Sequence, residues 1–293
     1  MKHKSRLKWN PSYLYIAPAI IGSILFTFFP VVYVIYLSLH KIDLLAGTKR
    51  FVLFDNYIKV FKTQNFRDAV SNTFVYMIVV MTLSILLALL LAVWLNRTTK
   101  MHYFAQTATF TPHIISLVSV SMLFMWMMEP DVGLLNYMLS FLGIDKINWL
   151  GDPKIAMASV IIVSVWKVVG YNTLILLAGL QSISSEIYES AWLDHSSKIN
   201  TFFKITIPLL SPSLFFLLIT NMLSSFQVFD SINVMTQGGP LNSTNVLVHW
   251  IYQTGFEFFR MGEAATGSVM LLAIVMVITF LNFRLLSKRV HYQ

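Results

Sequence analysis

The chain has 293 residues, of which 56% are hydrophobic and only 12% charged, about half the charged share of an ordinary soluble domain. That leaves too little polar surface for a water-soluble fold, and the net charge of +8 does not describe a nucleic-acid face, because its Lys and Arg are dispersed between apolar runs. With no Cys, disulfides, thiolate metal sites and Cys catalysis are excluded; the His residues lack ligand spacing such as His-x-x-x-His, so no metal or other cofactor is expected.

A tail carrying Lys2, Lys4, Arg6 and Lys8 leads into an uncharged run over residues 13–39. At about 25 residues this run exceeds a signal-peptide core and ends in no small-residue cleavage site, so an uncleaved membrane helix is expected. The segment from Phe51 to Phe66 mixes polar and apolar residues and predicts a short interfacial helix. Further apolar runs follow at 73–95, 104–128, 155–177, 208–229 and 267–283, each near the length that crosses ~30 Å of hydrocarbon. Unbroken apolarity, without the alternation of barrel strands, makes all of these helices. The expected fold is therefore all-α integral membrane, with six transmembrane helices in one membrane domain over residues 1–293.

Between the third and fourth runs, Glu129 to Asn136 and Trp149 to Pro153 carry Gly and Pro turns without catalytic spacing. Between the fifth and sixth, Thr236-Gln237-Gly238-Gly239-Pro240 predicts a tight turn. The apolar stretch from Val246 to Tyr252 beyond it is too short to span. The tails, with Arg97, Lys100, Lys198, Lys204, Arg284, Lys288 and Arg289, concentrate basic residues in the shorter loops, which predicts both termini in the cytoplasm.

The segment 184–207 then lies inside the cell. Ser185 is expected to N-cap a short helix with Glu186 in its first turn, and a second short helix is expected to end at Pro208. Ile187 and Ala191 share one face at i, i+4 spacing, which leaves Glu189 and Asp194 to meet a partner.

In this segment Glu189-Ser190-Ala191, then Asp194-His195-Ser196, then Phe202, Ile205 and Pro208 at three-residue spacing match the cytoplasmic loop of a known family. The match continues through Leu53 to Tyr57, Gly133 to Asn136, Trp166-Lys167, Ala178 to Gln181 and Thr236 to Pro240. On these residues the chain resembles the inner-membrane permeases of binding-protein-dependent ABC importers, in particular the maltose, glycerol-phosphate and oligosaccharide branch. The resemblance implies a type I ABC importer permease fold and an assembly of this chain with a second permease subunit. It also implies two cytoplasmic ATP-binding subunits, an extracytoplasmic solute-binding protein and a carbohydrate substrate, all in a cell-membrane bilayer. It makes Glu189, Ser190, Ala191, Asp194, His195, Phe202, Ile205 and Pro208 the residues that couple to the ATPase. One departure stands out: the family has Gly where this chain has His195, and Gly would allow a positive φ at the bend.

The sequence holds no Gly-rich Walker phosphate loop, so energy from ATP has to arrive through a partner and the chain is not expected to be an enzyme. Lys167 is the only Lys or Arg inside the proposed spans. With Tyr171 and Asn172 it is a candidate for sugar hydroxyls, or it snorkels or pairs with the sister subunit. In the fifth run Asn221, Ser224, Ser225 and Gln227, with Asp230 a turn later, interrupt apolar sequence beside Phe226 and Phe229. Such groups either line a substrate path or pack helix against helix. The competing class is an ion-coupled secondary transporter, which calls for intramembrane carboxylates; every Asp and Glu falls outside the proposed spans.

Overall fold

A computed structural model describes residues 12–43 and 47–286. Lys2, Lys4, Arg6, Lys8, Lys288 and Arg289, on which the orientation of the tails was argued, lie outside the described residues.

The first apolar run is α1, Ser12–Ser23, a π-turn at Ile24–Phe28, and α2, Phe29–Ser38. A two-stranded antiparallel hairpin follows, β1 (His40–Asp43) with β2 (Thr48–Phe51), in the register His40 opposite Phe51. Sequence reading did not anticipate it, because Thr48-Lys49-Arg50-Phe51 is solvent-exposed throughout and shows no buried face to set a pattern. The short helix expected here is α3, Asp55–Lys62, with Asn56 and Val60 inward and Ile58 and Phe61 exposed.

Asn56 ties this corner together. Its Nδ2 donates to the carbonyls of Ser38 (2.8 Å) and His40 (3.0 Å), and the Tyr57 and Ser38 hydroxyls meet at 2.7 Å. Lys59 pairs with Glu263 on the last helix, α15 (Met261–Leu286). A Cβ on Gly262 would sit 2.3 Å from the His40 carbonyl oxygen, so only Gly lets α15 approach so closely.

α4 (Gln64–Leu95) is the centre of the bundle. It turns Ala69, Thr73, Ser84, Ala88 and Ala92 inward, and these small side chains let α8 (Ala156–Gln181) and α12 (Ser211–Phe226) lie close along it. One apolar cluster joins Tyr76, Val120, Val160 and Ile232, and another joins Ala88, Leu176, Leu180, Leu210 and Leu217.

The third apolar run is not the single helix expected over 104–128. It is α5 (Lys100–Ile114) and α6 (Leu117–Met127), bent by 98° at Ile115 and Ser116. Pro112 does not account for the bend, because its missing N–H and its ring disturb only the turn before it and α5 continues through Ile114. After α6 come α7 (Leu134–Ser140) and then α8. The fifth run also differs from expectation. α9 (Ser185–Leu193) and α10 (Lys198–Thr201) lead through a π-turn at Phe202–Thr206 into α11 (Ile207–Leu209) and, beyond a 64° bend, into α12. The short helix does not end at Pro208. Pro208 lies inside the continuous helical run Lys198–Leu209, just after the π-turn, and the break falls at Leu210.

Beyond α12 lie α13 (Asp230–Met235), the Gly-Gly-Pro turn, α14 (Leu247–Tyr252), a π-turn at Gln253–Glu257 and α15. Among the described residues, Tyr15–Ser38, Gln64–Leu95, Ala156–Gln181 and Met261–Arg284 are long and apolar enough to cross a membrane, and the two bent pairs bring the number to six if each is one span.

Candidate functional site

Two places gather the polar residues singled out in the sequence. The first is a cavity of about 230 Å³ between α4, α6, α8 and α12, lined by Tyr76, Ser164, Lys167, Asn221, Ser224, Ser225, Gln227 and Asp230. Ser224, Gln227 and Asp230 are exposed, whereas Asn221 and Ser225 are buried. Asp230 opens α13, where its carboxylate complements the helix dipole. Sequence reasoning missed Tyr76 and Ser164, whose hydroxyls bond at 2.8 Å. The available signal was a Tyr in a continuous apolar run, since its hydroxyl needs a partner when buried.

Lys167 lines this cavity but does not present a free ammonium to it. Its Nζ donates to the carbonyls of Pro112 (3.2 Å), His113 (3.1 Å) and Ile115 (2.6 Å). An ammonium has three donors, and these carbonyls sit where the broken span leaves α5 without helical partners. The break and the lysine thus complete each other, and a positive charge suits a helix C-terminus.

Tyr171 and Asn172, expected beside Lys167 on one path, do not line the cavity. Tyr171 stacks on His113, with ring centroids 4.8 Å apart and planes 18° off parallel. Asn172 is buried against Asn221, and each Nδ2 donates to the other's Oδ1, at 3.2 and 3.1 Å. Asn221 Nδ2 also donates to the Leu217 carbonyl at 2.8 Å. Nearby, a Cβ on Gly170 would come 1.9 Å from the Thr109 carbonyl oxygen, so Gly170 is what allows α8 and α5 to touch.

The second place is the loop 184–207. Ser184, not Ser185, caps α9, accepting from the Glu186 N–H at 3.3 Å. At the other end Asp194 is the last residue before His195, which stands at φ +52°. The His195 N–H reaches the Trp192 carbonyl and the Ser196 N–H the Ala191 carbonyl, both at 3.0 Å, the paired bonds of a Schellman cap. His195 therefore adopts the left-handed conformation that the family's Gly would take at no steric cost.

Ile187 and Tyr188 pack on the cluster of Leu176, Leu180 and Leu210, and Ala191 is buried against its own chain. Glu189, Ser190 and Asp194 face outward; Phe202, Ile205 and Pro208 are half-buried in the stretch leading to α12. Sequence reasoning did not single out Trp192, Leu193, Ile199 and Phe203, which are 76%, 70%, 72% and 64% exposed. Such exposure of large apolar side chains around Glu189 marks an interaction surface. Between this loop and the end of α4 lies a groove lined by Asn96, Tyr188, Trp192, Ser196, Lys198 and Thr206.

Residues 65–292 match the family described as binding-protein-dependent transport system inner membrane component. The sn-glycerol-3-phosphate transport system permease protein UgpA of Escherichia coli O157:H7 is 32% identical over 289 residues, 98% of this chain and 97% of that one. The protein of the same name from Agrobacterium fabrum (strain C58 / ATCC 33970) is 34% identical over 283 residues, 96% of each chain. Among solved structures, a chain of a bacterial ABC transporter involved in the import of the acidic polysaccharide alginate superposes with a TM-score of 0.80 at 26% identity, covering 94% of this chain and 95% of that one. A chain of a bacterial alginate ABC transporter, in complex with an alginate pentasaccharide-bound periplasmic protein, superposes at 0.81 with 24% identity, covering 93% of this chain and 92% of that one, and shares the fold.

Proposed function

Because the chain belongs to the inner-membrane component family of binding-protein-dependent transport systems, we propose that it is one of two permease subunits of an ATP-driven importer and forms half of the translocation path for a carbohydrate or a phosphorylated or acidic relative of one. ATP is hydrolysed by two separate cytoplasmic subunits, and a solute-binding protein delivers the substrate from outside. The chain is one membrane domain with six spans, two of them broken, and both termini lie in the cytoplasm.

The observation that carries this reading is the loop 184–207. It projects Glu189 and Asp194 among exposed Trp192, Leu193, Ile199 and Phe203, and runs without a flexible linker into α12, whose far end lines the polar cavity. A push on that loop from an ATPase would reach the cavity wall through short helical segments joined at His195 and at the 64° bend before α12. Glu189, with Ser190, Asp194 and His195, is the docking edge; Phe202, Ile205 and Pro208 are the link to α12. Ser224, Gln227 and Asp230 are the groups offered to the substrate, while Asn172 and Asn221 hold the helices that carry them.

The test is uptake by the reconstituted complex across a panel of neutral, uronic and phosphorylated sugars bound by its cognate binding protein. Binding-protein-stimulated ATP hydrolysis coupled to uptake of one panel member supports the reading. Uptake driven by an ion gradient without ATP would establish the secondary-transporter alternative.

A further inference from the structure

Among the described residues, α7 has its polarity reversed relative to a loop helix in water. Leu134, Tyr137 and Met138 on α7, with Phe141 and Leu142 in the turn that closes it, recur at i, i+3, i+4, i+7 and i+8. They form one face that is 39%, 62%, 57%, 73% and 75% exposed. The opposite side holds a buried polar residue. Asn136 Nδ2 donates to the carbonyls of Pro130 and Ile147, both at 2.9 Å, and its Oδ1 accepts from the Ile147 N–H (3.2 Å) and Trp149 Nε1 (3.0 Å). The fold therefore holds α7 by a polar staple from behind and presents its apolar face outward.

Its depth is set by neighbouring spans. Leu135, Trp149 and Leu150 pack against the cluster that contains Val160, with Met157 from the first turn of α8, so α7 lies level with the end of a membrane-spanning helix. It follows directly on α6, whose exposed Met122, Leu123 and Trp126 continue the apolar surface toward it. No charge falls on the α7 face, and the ion pair Asp131–Lys146 (2.9 Å) lies exposed in the flanking turns. An uncharged face with Tyr and Phe at the end of a span is suited to the headgroup–acyl boundary.

We propose that α7 is an interfacial anchor, lying in the plane of the membrane with Leu134, Tyr137, Met138, Phe141 and Leu142 inserted into the lipid boundary. The bilayer is the occupant that the spans on either side already fix at this depth. The inference rests on membrane insertion of the family and not on the carbohydrate reading.

The test uses the absence of native Cys in this chain. Nitroxide labels on Met138→Cys, Phe141→Cys and, as a control off the apolar face, Ser140→Cys are read in the assembled complex, its partner chains free of reactive Cys. The vesicles are phosphatidylcholine with phosphatidylglycerol. At 138 and 141, relaxation by oxygen should exceed relaxation by an aqueous nickel chelate; at 140 the order should reverse. Equal or greater relaxation by the chelate at 138 and 141 would overturn the proposal. Shielding from both reagents there would also overturn it and would mean that a protein covers this face.

Discussion

Lys167 Nζ lies 2.6 Å from the carbonyl oxygen of Ile115, the residue at which α5 gives way to the bend before α6, and the same ammonium also serves Pro112 and His113. A side chain that reads in the sequence as a candidate for sugar hydroxyls is thereby committed to the backbone of its own chain. Lys167→Met should lower the thermal stability of the purified complex by about 1–3 kcal/mol, toward the lower end because water reaches part of the site. Lys167→Arg should recover most of that loss. If Lys167→Met left stability intact and abolished only substrate uptake, the ammonium would serve the substrate instead.

The Asn172–Asn221 amide pair makes a different kind of claim, about coupling. Leu at either position strands a buried amide and should destabilise the complex by about 1 kcal/mol, in the range measured for polar pairs between membrane helices. Leu at both positions should cost less than the sum of the single changes, because no orphaned amide remains. Additive losses in a double-mutant cycle, read by thermal unfolding, would show that the two amides act independently.

At the cytoplasmic loop, Glu189→Lys should abolish uptake and stimulated ATP hydrolysis while the binding protein keeps its sugar affinity. Trp192→Asp should do the same, since its side chain is 76% exposed. Ala191 is a poor probe of docking, because it is buried within its own subunit and Ala191→Trp would disrupt the loop itself. Wild-type coupling in both exposed-site variants would remove this surface from the mechanism.

His195 at φ +52° predicts the sign of two further changes. Gly at this position should protect α9 amides from hydrogen exchange by about 1 kcal/mol, through relief of the left-handed conformation. Val, whose branched side chain tolerates a positive φ poorly, should loosen the same amides.

His249 offers a pH dependence. It is buried beside Asn245, Gly238 and Phe229, and burial holds its pKa below the ordinary His value. The neutral ring is thus the favoured folded form. Its contribution to stability is present above the unfolded pKa of about 6.5 and is lost as pH falls through the lower folded value. Exchange protection around the Gly-Gly-Pro turn should therefore weaken on acidification, and His249→Gln should flatten that dependence.

The apolar runs at 13–39, 73–95, 155–177 and 267–283 were legible because a lipid environment leaves so few alternatives to a helix, and hydropathy reports that directly. The breaks were not, because hydropathy averages over a bend: the carbonyl of Ile115 at the 98° change of direction is taken up by Lys167, fifty-two residues further along the chain, a contact that no local pattern announces. The loop's bend was legible in a negative way, from the family Gly that His195 replaces. Its exposed Trp192 and Phe203 were not, since an apolar residue in a short helix reads as inward until the packing face is known. Likewise Asn221 reads in the sequence either as a path residue or as helix packing, and only the fold brings Asn172 opposite it.

The π-turn at Phe202–Thr206 gives the chain a gear with one extra tooth. An α-helix advances by 100° per residue, so one additional residue in a turn offsets everything before it from everything after it by about that angle. The π-turn therefore sets the angular phase between α10 and α11, one of three joints, with the turn at His195 and the 64° bend before α12, that lie between Glu189 and the Ser224–Gln227 wall. Substitutions at both ends can accumulate without disturbing that phase, whereas losing one residue from this turn would swing α12 by roughly a quarter of a revolution and aim a different stripe at the cavity.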